Sequence, residues 1–308
     1  MSKADSIKAR LRNLAIKNGK PFDYVLTHYF IERVLYRLSV SPYSQRFVLK
    51  GGLLLQALFN QQARATKDID LLAEQLSNQM SDLQRIFKEI CSIQANDGVM
   101  YELDSIEANP ITQDAEYQGV SISFYAFLDR TRGRIHIDVG FGDVVIPHSS
   151  CMSYPSLLDS RKIEIRAYSI ESIISEKFHA MVDLAFANSR MKDFYDIAML
   201  AGKNNFEGRI LQQAIQATFN RRLSDMPEIP AVFTDAFMQD HDKQLQWLAF
   251  IKRTNMELDS FADTLGLIKS FLHPLYVLLR AGNQSDEYWD CRSLTWRAKE
   301  LSLATHDR

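Results

Sequence analysis

Arg64-Ala65-Thr66-Lys67-Asp68-Ile69-Asp70-Leu71-Leu72 is the stretch on which the reading of this chain turns. Its apolar and acidic residues alternate, the pattern of a strand, so Asp68 and Asp70 point to one face while Ile69 and Leu71 enter the core. Two carboxylates aimed at one spot suit a hard divalent cation such as Mg²⁺, which is commonly held by one or two carboxylates and by phosphate oxygens. The pair alone is weak evidence: with 24 Asp in 308 residues, chance supplies about two D-x-D pairs, and a second stands at Asp240/Asp242. Its setting adds weight. Phe47–Lys50 reads as a short strand and Gly51-Gly52 opens a helix, seventeen residues before Asp68. Free N–H groups at such a turn receive phosphate, although an ordinary turn also accounts for the glycines.

Three more segments carry chemistry. In Gly133 to Asp143, Ile135, Ile137, Val139 and Phe141 share one parity and His136, Asp138 and Gly140 the other. Asp138 therefore projects from a strand whose other face is buried, and would give a third carboxylate beside the first two if the strands are neighbours. Asp143 reads as a turn residue and His136 as a hydrogen-bonded strand histidine. In the helix 169–187, Lys177 falls on the inward stripe marked by Ile173 and Met181, so it must reach an acid, hold a phosphate or snorkel outward. In Arg190-Met191-Lys192-Asp193-Phe194-Tyr195-Asp196, Asp193 and Asp196 share a face next to the core stripe, and Asp193 suits the helix N-terminus.

Forty-six per cent hydrophobic and 24% charged residues, with 12 Gly and 8 Pro, describe a folded globular protein and exclude collagen and low complexity. No window is apolar enough for a membrane span and the start has no secretory h-region, so a cytoplasmic protein is expected. Three cysteines without C-x-x-C spacing support neither disulfides nor a zinc site. Net charge is only −2, but residues 1–50 hold ten Lys/Arg against three Asp/Glu, and residues 51–150 hold seven against fourteen. A basic segment beside an acidic one suits a protein that holds a polyanion and cations, or merely one with solvated helix faces.

Along the chain, apolar spacing predicts helices at 4–18 and 22–39, a helix from Gly51 to Phe59 and another at 77–93. Strands are expected at 67–73, 101–106, 118–128, 133–141 and 162–168. After residue 168 everything reads as helix: 169–187, 191–202, 207–222, 232–253, 260–280 and 287–300. The expected fold is α+β, a mixed sheet with helices followed by an all-helical half.

Together F-V-L-K-G-G-L-L-L (47–55), R-A-T-K-D-I-D-L-L (64–72), I-D-V-G-F-G-D (137–143), S-I-I-S-E-K-F-H-A (172–180) and R-M-K-D-F-Y-D-I (190–197) resemble the ordered motifs of the AbiEii/AbiGii abortive-infection nucleotidyltransferase toxins, within the DNA polymerase β-like nucleotidyltransferases. The resemblance runs from about residue 8 to about 210. It implies a catalytic domain over 1–168, with a basic helical N-terminus, and a helical domain over 169–308 closing the nucleotide cleft. It also implies that Gly51 and Gly52 form the phosphate turn and that Thr66 keeps the hydroxyl beside the carboxylates. Asp68 and Asp70 would bind Mg²⁺, with Asp138 as third ligand and base. Lys177 would meet the triphosphate, and Asp193 would complete the pocket with Arg190 and Lys192. A cognate antitoxin encoded nearby and transfer of a nucleoside monophosphate from an NTP to the 3′ end of tRNA are the implied partner and reaction. The basic residues Arg10, Arg12, Lys17, Lys20, Arg33 and Arg37 would then neutralise the RNA backbone. Transfer to a small-molecule or protein hydroxyl, or a catalytically silent module binding RNA or a partner, are the rival readings.

Overall fold

A computed structural model of the chain describes residues 2–111, 119–158, 161–254 and 259–298. The chain divides into two compact units, the first comprising 1–143 and 149–168 and the second 144–148 and 169–308.

The first unit opens with two helices, α1 (Lys3–Lys17) and α2 (Phe22–Ser39). A capping box starts α1: the Ser2 hydroxyl accepts from Asp5 N–H and the Asp5 carboxylate accepts from Ser2 N–H. Pro21 and Gly19, at a positive φ of 60°, separate the two helices. Strand β1 (Phe47–Lys50) runs without a loop into α3 (Gly51–Phe59), and β2 (Asp68–Ala73) and α4 (Met80–Ser92) follow. The sheet is completed by β3 (Val99–Tyr101), β4 (Glu107–Pro110), β5 (Val120–Leu128), β6 (Thr131–Phe141), β7 (Ser150–Ser153) and β8 (Glu164–Ala167). Its order is β3-β5-β6-β2-β1-β8-β7, with β4 also paired to β5. The β2/β6 and β1/β8 pairs are parallel and the others antiparallel, so the mixed sheet expected of the chain is present.

Strand parity works as the alternation predicts. Ile135, Ile137 and Val139 are fully buried, and Phe30 of α2 packs against Gly133 on the same parity. Helix α2 therefore covers the face of β6 opposite Asp138. The single strand expected at 101–106 is instead two short strands flanking a turn, and β7 had no alternating signal of its own. Residue 118, expected to begin β5, lies outside the described residues.

The second unit contains α5 (Ile170–Leu184), α6 (Met191–Lys203), α7 (Gly208–Arg221), α8 (Asp235–Met238), α9 (His241–Thr254) and α10 (Phe261–Arg280). The expected helix at 232–253 is broken by two caps: Thr234 Oγ1 accepts from Phe237 N–H, and Asp240 Oδ1 from Lys243 N–H. Asp240 of the second D-x-D pair is thus a helix cap.

The unit is not all helical. Strand β9 (Phe206–Glu207) pairs with a hairpin of β10 (Glu287–Asp290) and β11 (Thr295–Ala298), where a helix over 287–300 was expected. Trp289 and Trp296 explain the misreading, because a seven-residue spacing also marks a helix stripe. In the structure the two indoles face each other across the hairpin, and the Trp289 Nε1–H donates to the Ala201 carbonyl. Residues 299–300 of that expected helix lie outside the described residues.

Candidate active site

The register of the first unit places the acidic residues. Across the sheet, one rung reads Lys50, Asp70, Asp138, Ser121, and a second aligns Asp68, His136 and Ser123. Cross-strand partners and residues two apart share a face, so Asp68, Asp70 and Asp138 lie on the side of the sheet away from Phe30. Among the described residues no three His, Cys, Asp or Glu side chains are gathered at metal-ligand spacing. The strand register thus gives the three carboxylates a shared face, without gathering them into a closed triad.

Gly51 is fitted to this face. It takes a positive φ of 68°, and a Cβ there would lie 2.0 Å from Asp70 Oδ2. Any side chain would both strain the backbone and displace the carboxylate. At Gly52 an added Cβ would meet the Arg64 guanidinium at 2.9 Å, so Arg64 lies over the start of α3. Lys50, at the N-cap of α3, offers no capping side-chain bond to the first N–H groups of the helix. The Thr66 hydroxyl accepts from the Asp68 N–H at 3.4 Å, a long bond that places it beside the carboxylates.

His28 of α2 ties the preceding loop in place through the Thr66 backbone, and burial pulls its pKa down to about 4. Lys50 reaches Asp143 at 2.7 Å with both side chains largely buried, and lies over the Tyr168 ring. Asp143, expected as a turn residue, is therefore half of an ion pair.

In the second unit, Lys177 of α5 is bracketed by Asp193 Oδ1 at 2.6 Å and Asp196 Oδ2 at 2.8 Å, and Arg190 Nε stands 2.8 Å from Asp193 Oδ2. Both carboxylates are fully buried. Burial pushes the Asp193 pKa up, but the charges of Lys177 and Arg190 outweigh it and hold the group below its usual value. Lys177 thus reaches two acids, one of the choices open to a lysine on an inward stripe. Residues of little sequence signal fix the turn before α6. Lys243, 4% exposed, donates to the Phe186 and Asn188 carbonyls, and the Asn188 side chain accepts from Arg190 N–H. Arg190 and Lys192 are exposed.

The basic N-terminal segment separates into groups. Arg33 and Arg37 are internal: Arg33 pairs with buried Glu32, and Arg37 makes a two-pronged pair with Asp97. They cannot face RNA, which corrects that expectation. Lys8 reaches Asp129 at the β5/β6 turn, and Arg10 bonds the Leu158 carbonyl. Thr131, at the start of β6, is seven residues from Asp138, roughly 23 Å of strand. Lys20, by contrast, lies over Tyr24, whose hydroxyl accepts from Gln56 of α3.

A family model described as nucleotidyl transferase AbiEii toxin, type IV toxin–antitoxin system, matches residues 33–267. The chain belongs to this family. Two solved structures align with it, both from Helicobacter pylori. JHP933 is 15% identical with a TM-score of 0.46, covering 84% of this chain and 97% of its own. A second chain, provisionally described as a nucleotidyltransferase, is 14% identical with a TM-score of 0.47, covering 85% and 98%. No curated protein matches the chain. As an AbiEii nucleotidyltransferase, the protein presents residues that motif spacing passed over or, for Asp143, read as a turn: Lys50, Arg64 and Asp143 near the carboxylate face, and Lys243 and Asn188 beneath Arg190. Of these, the first three stand inside the motif segments, while Lys243 had no local signal because its partners are carbonyls far away in sequence.

Proposed function

We propose that this AbiEii protein is the Mg²⁺-dependent toxin of a toxin–antitoxin pair, transferring a nucleoside monophosphate from an NTP to an RNA acceptor, the 3′ end of tRNA. The observation that carries this reading is the rung that sets Asp70 beside Asp138, with Gly51 closed against the Asp70 carboxylate. The donor set fits the ion: carboxylates alone, two on adjacent strands and Asp68 two residues along, leaving other positions for phosphate oxygens. Bound there, Mg²⁺ would neutralise charge developing on the transferred phosphoryl group and the leaving pyrophosphate.

The chain's own residues do the rest. The uncapped N-terminus of α3 at Gly51-Gly52, with Arg64 over it, receives the triphosphate. Asp138 accepts the proton of the acceptor hydroxyl as its oxygen bonds the α-phosphorus, and the bond to pyrophosphate breaks. Within the second unit, Arg190 and Lys192 are exposed cations of the kind that suits phosphate, and Lys177 stands between its two carboxylates. An antitoxin encoded nearby is the expected protein partner, and the cytoplasm the expected compartment. No described helix is long and apolar enough to cross a membrane.

The RNA acceptor is supported by exposed Lys67 beside Asp68 and by Lys20 over the ring that touches α3. The burial of Arg33 and Arg37 favours a second reading, a small-molecule or protein hydroxyl, because it removes two cations from those able to neutralise phosphates. Incubation with each labelled NTP, Mg²⁺ and total tRNA decides between them. Labelled tRNA, dependent on Mg²⁺ and lost in D68N, is the expected result. Label appearing only on protein or small molecules selects the second reading, and no transfer to any acceptor overturns both.

A further inference from the structure

Lys50 starts on β1 and its ammonium ends over the last residues of β6, with β2 between the two strands. Its partner Asp143 lies two residues after β6, next to a bend at Gly142, which has a positive φ of 76°. Gly140 is the floor of this crossing. A Cβ there would make van der Waals contact with Lys50 Nζ at 3.6 Å and Asp143 Oδ2 at 3.7 Å, so the ion pair lies directly over this residue. Gly140 shares the parity of Asp138, so the crossing runs over the carboxylate face itself. Asp143 is 4% exposed and Lys50 16%, which makes the pair a shielded one.

We propose that the Lys50–Asp143 ion pair is a clamp that fixes the end of β6 across β2 and so holds Asp138 in the rung beside Asp70. Lys50 and Asp143 are thus positioning residues for the metal-dependent transfer, and the inference rests on that reading. Two causes could tie this pair to the ion, and they differ in sign. As a mere field, loss of the Lys50 charge leaves the face more negative and tightens cation binding, whereas loss of the Asp143 charge weakens it. As a clamp, either loss frees the end of β6, and both weaken binding.

The test is Mn²⁺ binding, read by electron paramagnetic resonance, on the full chain as wild type, K50M, K50R, D143N and D70N, with thermal unfolding in parallel. K50M and D143N should each weaken Mn²⁺ binding about tenfold, the effect typical of removing the support around a ligand set. K50R, which keeps the pair, should recover most of it, and K50M/D143N should be no worse than either single change. If K50M fails to fold because Asp143 is left buried and charged, D143N and K50R still decide the question. Opposite shifts in K50M and D143N, or wild-type Mn²⁺ affinity in folded D143N, overturn the clamp. If D70N also binds Mn²⁺ like wild type, the metal reading itself falls with it; if D70N is impaired and D143N is not, only the clamp falls.

Discussion

The acids of the sheet unit and those of the helical unit are opposite solutions to the same electrostatic problem. Asp193 and Asp196 are fully buried, and Lys177 and Arg190 balance them charge for charge. Asp68 is exposed and Asp70 and Asp138 are half-buried on one face, where Asp68 and Asp138 have no cation partner among the described residues. A neutralised, dehydrated cluster holds a fold together, and breaking it leaves charge in a poor solvent. An under-neutralised face costs little while hydrated and keeps its charge for something that arrives. The second kind of arrangement is the one on which the proposed chemistry rests, and Gly51 lies against it.

The largest expected effect tests the sheet side of this contrast. D68N keeps the shape of an exposed side chain and removes its charge, so transfer should fall by at least about a hundredfold while the melting temperature stays unchanged. Assay with labelled NTP beside a thermal melt checks both halves. A variant that loses stability and keeps activity would reverse the comparison.

On the helical side, K177M should cost about 3–5 kcal/mol of stability, because two buried carboxylates lose the lysine between them. Denaturant unfolding measures this, and NTP binding below the transition shows whether Lys177 also serves the nucleotide. A K177M protein that melts like wild type would place Lys177 with the functional charges instead.

A smaller effect comes from pH. His28 titrates near 6.5 when unfolded but only at about 4 in the fold, so between these values the unfolded chain binds more protons. Stability should therefore fall as pH drops from 6.5 toward 4, by up to about 3 kcal/mol, and level off below. Asp193 adds an acid-labile contribution at lower pH: its depressed group stabilises above 3.8 and loses that effect as pH falls further. Melts of wild type and H28Q across this range separate the two, since H28Q should flatten only the upper window.

The smallest effect concerns the exposed cations. If RNA is the acceptor, K20E/K67E should lower the salt dependence of tRNA binding by roughly 0.7 in log–log slope for each phosphate that is no longer neutralised. K8E, on α1 where Lys8 pairs with Asp129 of the β5/β6 turn, should leave it unchanged. Equal slopes in all three proteins would favour a small or protein acceptor.

Much of this was legible in local pattern. Period-two alternation in 68–72 and 133–141 determined which face Asp68, Asp70 and Asp138 share, because strand geometry leaves a side chain only two directions. Helical spacing put Lys177 on an inward stripe and Asp193 and Asp196 on one face, and Gly51-Gly52 marked the turn. The order of motifs was enough to name a family.

What only the tertiary structure decided lies between residues distant in sequence. That Asp138 stands in the rung of Asp70 depends on the parallel β2/β6 pairing, which no local pattern encodes. Arg33 and Arg37 read as surface cations in sequence, whereas Glu32 and Asp97 neutralise them inside the unit. Trp289 and Trp296 fit a helix or a hairpin equally well by spacing, and the Ala201 carbonyl and Phe271 ring settled them in a hairpin. Asp143 reads as a turn in sequence, whereas in the fold it is a buried carboxylate paired with Lys50, 93 residues away. Periodicity reports the local direction of a side chain, but neutralisation, packing and register are properties of pairs, and pairs are made by the fold.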